Sequence, residues 1–260
     1  MEKSKQIKIL VLLIFILFAI NYPFMDSFLE RTFVQGEIVT VERVVDGDTV
    51  IANNQSVRLL GMNTPERGEK YYEEAKVFLE ELVLNKTVEL RFGKEKYDRY
   101  NRILGYLFLG GKNINLEIVK EGYANFYFPS GKDTYYTLFL DEWEGCLVDG
   151  GNRCEFSNDP CSKCIKLEEF DYKREIITFE NICSFQCDLS NWEIKDEGRK
   201  KFIFEDFLIN GKEKINIKTK DGENNSTDLF WKGEKYVWTK TGDSLFLRDK
   251  EGLLVLWDTY

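Results

Sequence analysis

Val45-Asp46-Gly47-Asp48-Thr49-Val50 constrains what this chain can fold into more than any other stretch. Two carboxylates flank a glycine turn, and the chain runs straight on into a β-branched strand. A second stretch, Arg58-Leu59-Leu60-Gly61-Met62-Asn63-Thr64-Pro65-Glu66, ends a strand (Val57 to Leu60) and brings an amide, a hydroxyl and a carboxylate around a proline corner. Two strand ends of this kind can gather several oxygens around one hard cation such as Ca²⁺, with an arginine beside it. A phosphate held between a cation and an arginine is a recipe for phosphoester chemistry. Taken alone, Asp-Gly-Asp reads equally well as a surface hairpin turn.

The surrounding pattern predicts a small, mainly β domain with packed helices. Gly36 to Leu60 is strand-like, with Ile38, Val39, Val41, Val44, Val45, Val50 and Ile51 as its β-branched content. After Pro65 the period changes. Tyr72, Ala75, Phe78, Leu79 and Leu82 fall at helical spacing, opposite a charged face of Glu69, Lys70, Glu73, Glu74, Lys76 and Glu80. Strands are expected at Thr87 to Phe92 and Ile103 to Phe108, then a short helix capped by Asn113 or Asn115 and closed at Gly122. Tyr123 to Phe128 is expected to be extended, and Asp133 to Trp143 helical. Several short strands with an inserted helix suit a small β-barrel.

A third stretch, Tyr97-Asp98-Arg99-Tyr100-Asn101-Arg102 before Ile103-Leu104-Gly105, supplies a second arginine and a tyrosine. With these three motifs in this order, roughly Gly36 to Cys146 resembles the thermonuclease (staphylococcal nuclease-like) family. It departs from the family pattern at Asn63, where aspartate is more usual, and at Asn101, where glycine is. The resemblance implies an OB-fold-like five-stranded barrel and Ca²⁺-dependent hydrolysis of DNA and RNA, water attacking phosphorus in line to leave 3′-phosphate ends. Carried onto this sequence, it implies cation ligands at Asp48, Asn63 (amide oxygen) and Thr64 (main-chain carbonyl). Asn63 removes one negative charge from that set, so the ion should be held less tightly than by an aspartate-containing relative. Asp46 is expected beside the ligands or in the turn.

Arg58 and Arg102 stay protonated and can fork onto phosphate oxygens, steadying charge in the transition state. Arg43 and Arg91 read as ordinary surface ion pairs. The chain has no histidine, which excludes Ser-His-Asp triads and His-ligated metals. Glu66 is therefore the candidate to orient or deprotonate the attacking water. Arg99, Tyr100 and Tyr127 are candidates for placing the nucleic acid. A net charge of −9 excludes a protein that coats nucleic acid through a global basic field, but not a nuclease with a few cations in one cleft.

The length, 260 residues, suits one large or two ordinary domains. Residues 1–33 carry a lysine-flanked apolar run from Ile9 to Ile20, expected to be a signal peptide or an uncleaved membrane anchor. The protein is therefore expected to be secreted or anchored to the outer face of the cell membrane. Residues 34–146 form the nuclease-like domain and 147–165 a Cys-rich linker. Cys146, Cys154, Cys161, Cys164, Cys183 and Cys187 suit disulfides in an exported chain, while the four that share one loop (Cys146, Cys154, Cys161, Cys164) could instead form a zinc knot. Six cysteines allow 15 pairings, and spacing does not choose among them.

Residues 166–260 hold short extended runs separated by turns, the pattern of a β-sandwich. Cys187-Asp188-Leu189-Ser190-Asn191-Trp192, Lys195-Asp196-Glu197 and Thr241-Gly242-Asp243-Ser244-Leu245-Phe246-Leu247-Arg248-Asp249 resemble the lamin-tail (immunoglobulin-like) domain. The acidic residues here read as solvated turn positions, with no catalytic constellation. Two other functions fit the same features: a nucleic-acid-binding barrel that has lost catalysis, signalled by Asn63, and a cell-surface adhesion module whose sandwich meets the partner.

Overall fold

The computed structural model describes residues 36–260 together with Lys8. Apart from Lys8, the expected signal or anchor lies outside the described residues. Among those described, no helix is long and apolar enough to cross a membrane.

The first domain runs β1 (Gly36–Asp46), β2 (Thr49–Ala52), β3 (Gln55–Leu59), β4 (Gly61–Asn63), α1 (Tyr72–Val83), β5 (Thr87–Tyr97), β6 (Ile103–Leu109), β7 (Lys112–Asn113), α2 (Ile114–Lys120), β8 (Asn125–Tyr127) and α3 (Tyr136–Asp149). Strands β3-β2-β1-β5-β6 lie side by side, and a parallel β3–β6 pairing closes them into the expected five-stranded barrel. Asn53 and Asn54 both take positive φ (47° and 62°) between β2 and β3, the two-residue turn that matches strand twist. Ala75, Leu79 and Val83, spaced four apart, are the buried stripe of α1. Each large apolar side chain buried in this way contributes roughly 2 kcal/mol.

One local expectation resolves and two shift. Asn113 caps α2 by accepting from the Leu116 N–H, whereas Asn115 is buried and bonds Leu60, Gly105 and Leu107 main-chain groups. Helix α3 starts at Tyr136, later than Asp133, whose carboxylate accepts from the Tyr135 N–H (2.8 Å) and the Tyr106 hydroxyl (2.6 Å) in the turn ahead of it. It then runs on to Asp149, where Gly150 at φ 72° ends it.

The second domain contains β9 (Ile165–Asp171), β10 (Ile176–Asn181), β11 (Cys187–Asp188), β12 (Glu193–Lys195), β13 (Lys201–Ile203), β14 (Leu208–Ile209), β15 (Lys214–Lys218), β16 (Asp228–Phe230), β17 (Ser244–Arg248) and β18 (Leu254–Thr259). Sheets β16-β15-β10-β9 and β13-β12-β17-β18 sandwich a core that includes Phe179, Trp192, Ile215 and Leu245. Tyr236 to Trp238 is a loop rather than a strand, since the Val237 and Trp238 N–H groups donate to the Glu175 carboxylate instead of a neighbouring strand. The six cysteines form Cys146–Cys154, Cys161–Cys187 and Cys164–Cys183, so disulfides and not a zinc knot staple this region.

The two domains share a core. Strand β17 is buried along its whole length: Leu245 and Leu247 enter the sandwich, while Phe246 enters the core of the first domain with Leu254. Trp143 of α3 meets the rings of Phe246 and Trp257 edge-on at 5.6 and 6.2 Å. Arg248 donates to the Arg153 carbonyl at 2.9 Å across the same seam, and burial pushes its guanidinium pKa down to about 9.

Candidate nuclease site

The turn between β1 and β2 starts the site. Asp46 Oδ1 accepts from the Asp48 N–H (3.2 Å), which makes it the turn former. Gly47 is required by contact, because a Cβ there would lie 2.8–2.9 Å from Thr64 and Ala75. The turn therefore packs against the proline corner and α1 together. Asp48 is buried and fully bonded: Oδ2 accepts from the Thr64 N–H (3.1 Å) and hydroxyl (2.9 Å), while Oδ1 accepts from Thr49 and pairs with Arg58.

Strand register brings the arginines together. Arg58 lies opposite Thr49 on one side, and opposite Leu104 of β6 on the other, two residues on from Arg102. Its Nη2 donates to Asn63 Oδ1 at 2.9 Å. Burial lowers the Arg58 pKa to about 10, opposed by Asp46 and Tyr127 and reinforced by Arg102 and Arg199, and it stays protonated at neutral pH. Arg102 donates through Nε to Asp98 Oδ2 (2.7 Å), and Asp98 also ties the Tyr100 and Arg102 N–H groups. Asn101 sits at φ 62°, a conformation asparagine tolerates better than most side chains, so the departure from glycine costs little.

The remaining expected residues surround this centre. Tyr100 is exposed, with the Arg99 and Arg102 guanidinium carbons 4.8 and 5.5 Å from its ring centre. Tyr127 is opposite Gly61 in the β4–β8 pair, and burial raises its phenol pKa against the pull of Arg58. Glu66 is half-buried on the proline corner, 2.7 Å from Arg199.

Asp48, Asn63 and Thr64 offer only oxygens, the donor type a hard divalent cation takes. Among the described residues no three His, Cys, Asp or Glu side chains converge on a metal. A cation here would rest on one carboxylate and neutral oxygens. Asp48 Oδ1 and Asn63 Oδ1 both face Arg58, so ion and guanidinium compete for the same acceptors.

The second domain reaches this rim, which the sequence reading missed. Asn63 Nδ2 donates to the Gly198 carbonyl at 2.9 Å, and Lys195 pairs with Glu69 at 2.9 Å. Burial alone would raise the Glu69 pKa, but the Lys195 charge and hydrogen bond bring it down to about 2. The acidic residues of this domain are not all solvated. Asp196, Glu197 and Asp243 are 8%, 4% and 2% exposed, because the domain interface closes over the turns that carry them. Burial raises their pKa values to about 7, 9 and 6. The one visible hint was β17 and β18, apolar at both parities where a one-sided sheet alternates.

Comparison with known proteins agrees with this geometry. Residues 56–144 match the staphylococcal nuclease homologue family and 161–260 the lamin tail domain. The thermonuclease of Staphylococcus intermedius is 35% identical over 139 residues, covering 50% of this chain and 81% of that protein. The Staphylococcus hyicus thermonuclease is 38% identical over 104 residues, 35% of this chain and 62% of its own length. The endonuclease YncB of Bacillus subtilis is 35% identical over 119 residues, 41% of this chain and 56% of its own length. A closed barrel, with Arg58 on β3 and Arg102 just ahead of its partner strand β6, and these relatives together place the chain in the thermonuclease family, with a lamin-tail domain packed against the barrel.

Proposed function

We propose that this nuclease is a Ca²⁺-dependent phosphodiesterase that cleaves DNA and RNA outside the cytoplasm. One observation carries the reading: Asp48 and Asn63 are buried and both bonded to buried Arg58 at the barrel rim, with Arg102 just ahead of the strand that pairs with Arg58. Three polar side chains buried together are costly in a plain barrel and useful to a site that binds phosphate.

Asp48, the Asn63 amide oxygen and the Thr64 carbonyl would hold the ion, which supplies positive charge against the phosphate when bound. Arg58 and Arg102 fork onto the phosphate oxygens and stabilise the charge that builds as phosphorus becomes five-coordinate. Glu66 orients the attacking water and takes its proton, and the 5′-oxygen leaves in line. Tyr100 and Arg99 lie where a neighbouring nucleotide can stack or pair its phosphate. The six paired cysteines and the N-terminal apolar run support an exported protein, secreted or anchored at the outer face of the membrane.

The test is to incubate single-stranded DNA, duplex DNA and RNA with the protein and Ca²⁺ and to identify the new termini. Cleavage of both nucleic acids to 3′-phosphate ends is expected. Products with 5′-phosphate ends would contradict the proposed leaving group.

A further inference from the structure

We propose that Arg199 is a substrate-binding residue of the nuclease site, supplied by the second domain to hold a phosphate of the bound strand. The inference rests on the nuclease reading above. Arg199 lies in the turn between β12 and β13, closed by the Asp196 N–H on the Lys200 carbonyl (3.0 Å) and the Lys200 N–H on Asp196 Oδ1 (2.9 Å). The carbonyl of Gly198, the residue before Arg199, accepts from Asn63 Nδ2, which belongs to the Arg58 network. Lys195 and Lys201 on the flanking strands both pair with Glu69, at 2.9 and 3.5 Å. The turn is therefore clamped to the rim at three points without using Arg199.

Arg199 itself pairs with Glu66 through Nε at 2.7 Å, and its side chain remains 64% exposed. A residue needed only to fasten the domains would be more enclosed, since Lys195 in the same hairpin is buried. Exposed ion pairs are weak and exchange readily, so Arg199 can trade the Glu66 carboxylate for a phosphodiester. The guanidinium fork fits the two unbridged phosphate oxygens, and a phosphate presents the same negative charge that Glu66 does. That exchange also frees Glu66 to receive the proton of the attacking water. Arg102 and Arg199 both lie near enough to act on the charge of Arg58, so three cations gather here in a chain whose net charge is −9. The nucleic-acid path is thus lined by both domains.

Fluorescence anisotropy of a labelled single-stranded oligodeoxynucleotide, with the full chain in chelator and across a salt series, tests this without turnover. Arg199→Ala is expected to weaken binding about tenfold and to flatten the dependence of log K on log salt by roughly 0.7, the single-strand value for one phosphate contact. Arg199→Lys keeps the charge and should recover most of that slope. Equal affinity and slope for wild type and Arg199→Ala, with unchanged unfolding midpoints, would overturn the assignment. With Ca²⁺ present, KM should rise in Arg199→Ala with little change in kcat. A higher kcat at unchanged KM would also overturn it, since Arg199 would then restrain Glu66 rather than bind substrate. If the wild type binds but never cleaves, the nuclease reading fails while the binding comparison still decides the role of Arg199.

Discussion

Arg58 stands between two acceptors that a cation would also take, Asp48 Oδ1 and Asn63 Oδ1. An ion held as proposed would require the guanidinium to shift toward the phosphate. Replacing Asn63 by aspartate adds a formal charge to the ligand set, so Asn63→Asp should lower the Ca²⁺ concentration for half-maximal activity. The same change removes the Nδ2 donor from the Gly198 carbonyl, at a cost of roughly 1–3 kcal/mol that should show as a lower unfolding midpoint. An unchanged Ca²⁺ midpoint in a fully active variant would take Asn63 off the ion. Arg102 is only partly buried and pairs with Asp98 through Nε, leaving the rest of its fork for substrate. Arg102→Lys keeps the charge but not the planar fork, and should lower kcat on the order of a hundredfold. Near-normal turnover in the folded variant would remove Arg102 from the mechanism.

Among the elements, the β1–β2 turn and the proline corner act as one piece, because Gly47 lets them touch. In Gly47→Ala the new methyl must displace Thr64, whose hydroxyl and N–H hold Asp48. Overpacking of this kind costs typically 1–3 kcal/mol, and activity should fall more than the unfolding midpoint suggests. Full activity with full stability would mean that the Asp48–Thr64 contact is dispensable. This part of the site was legible in the sequence because it is local: turn, strand and corner lie between Val45 and Glu66, and each residue type has a short-range reason to be there. Helix α1 was legible too, from a period of apolar residues that its packing then used. The parallel closure of β3 on β6, which sets Arg58 near Arg102, came through family resemblance and not through any local pattern.

In the whole molecule, the second domain is built onto the barrel and reaches the site. Asn63 to Gly198, Glu66 to Arg199 and Glu69 to Lys195 all cross more than a hundred residues of sequence, which no local period reports. The interface also sets a pH response. An acid with a higher pKa folded than unfolded binds more protons when folded in the interval between the two, so stability falls as pH rises through it. Asp196, Glu197 and Asp243 are of this kind, with folded values of about 7, 9 and 6. Glu69 is the opposite case: its folded value of about 2 gives stability that is present above the unfolded pKa and lost as pH falls toward that value. Thermal unfolding should therefore be most resistant at about pH 5 and weaken steadily toward pH 9. Glu197→Gln, which is neutral throughout, should flatten the upper part of that decline. A wild-type midpoint that rises between pH 5 and 9 would contradict the buried acid cluster.

The most direct measurement is cleavage of single-stranded DNA by the wild-type protein as Ca²⁺ is titrated, ending with excess chelator. A saturating rise in rate with Ca²⁺, abolished by chelator, is the expected result. Tight binding of the same DNA with no cleavage at any Ca²⁺ concentration would contradict it, and would make this chain a nucleic-acid-binding barrel.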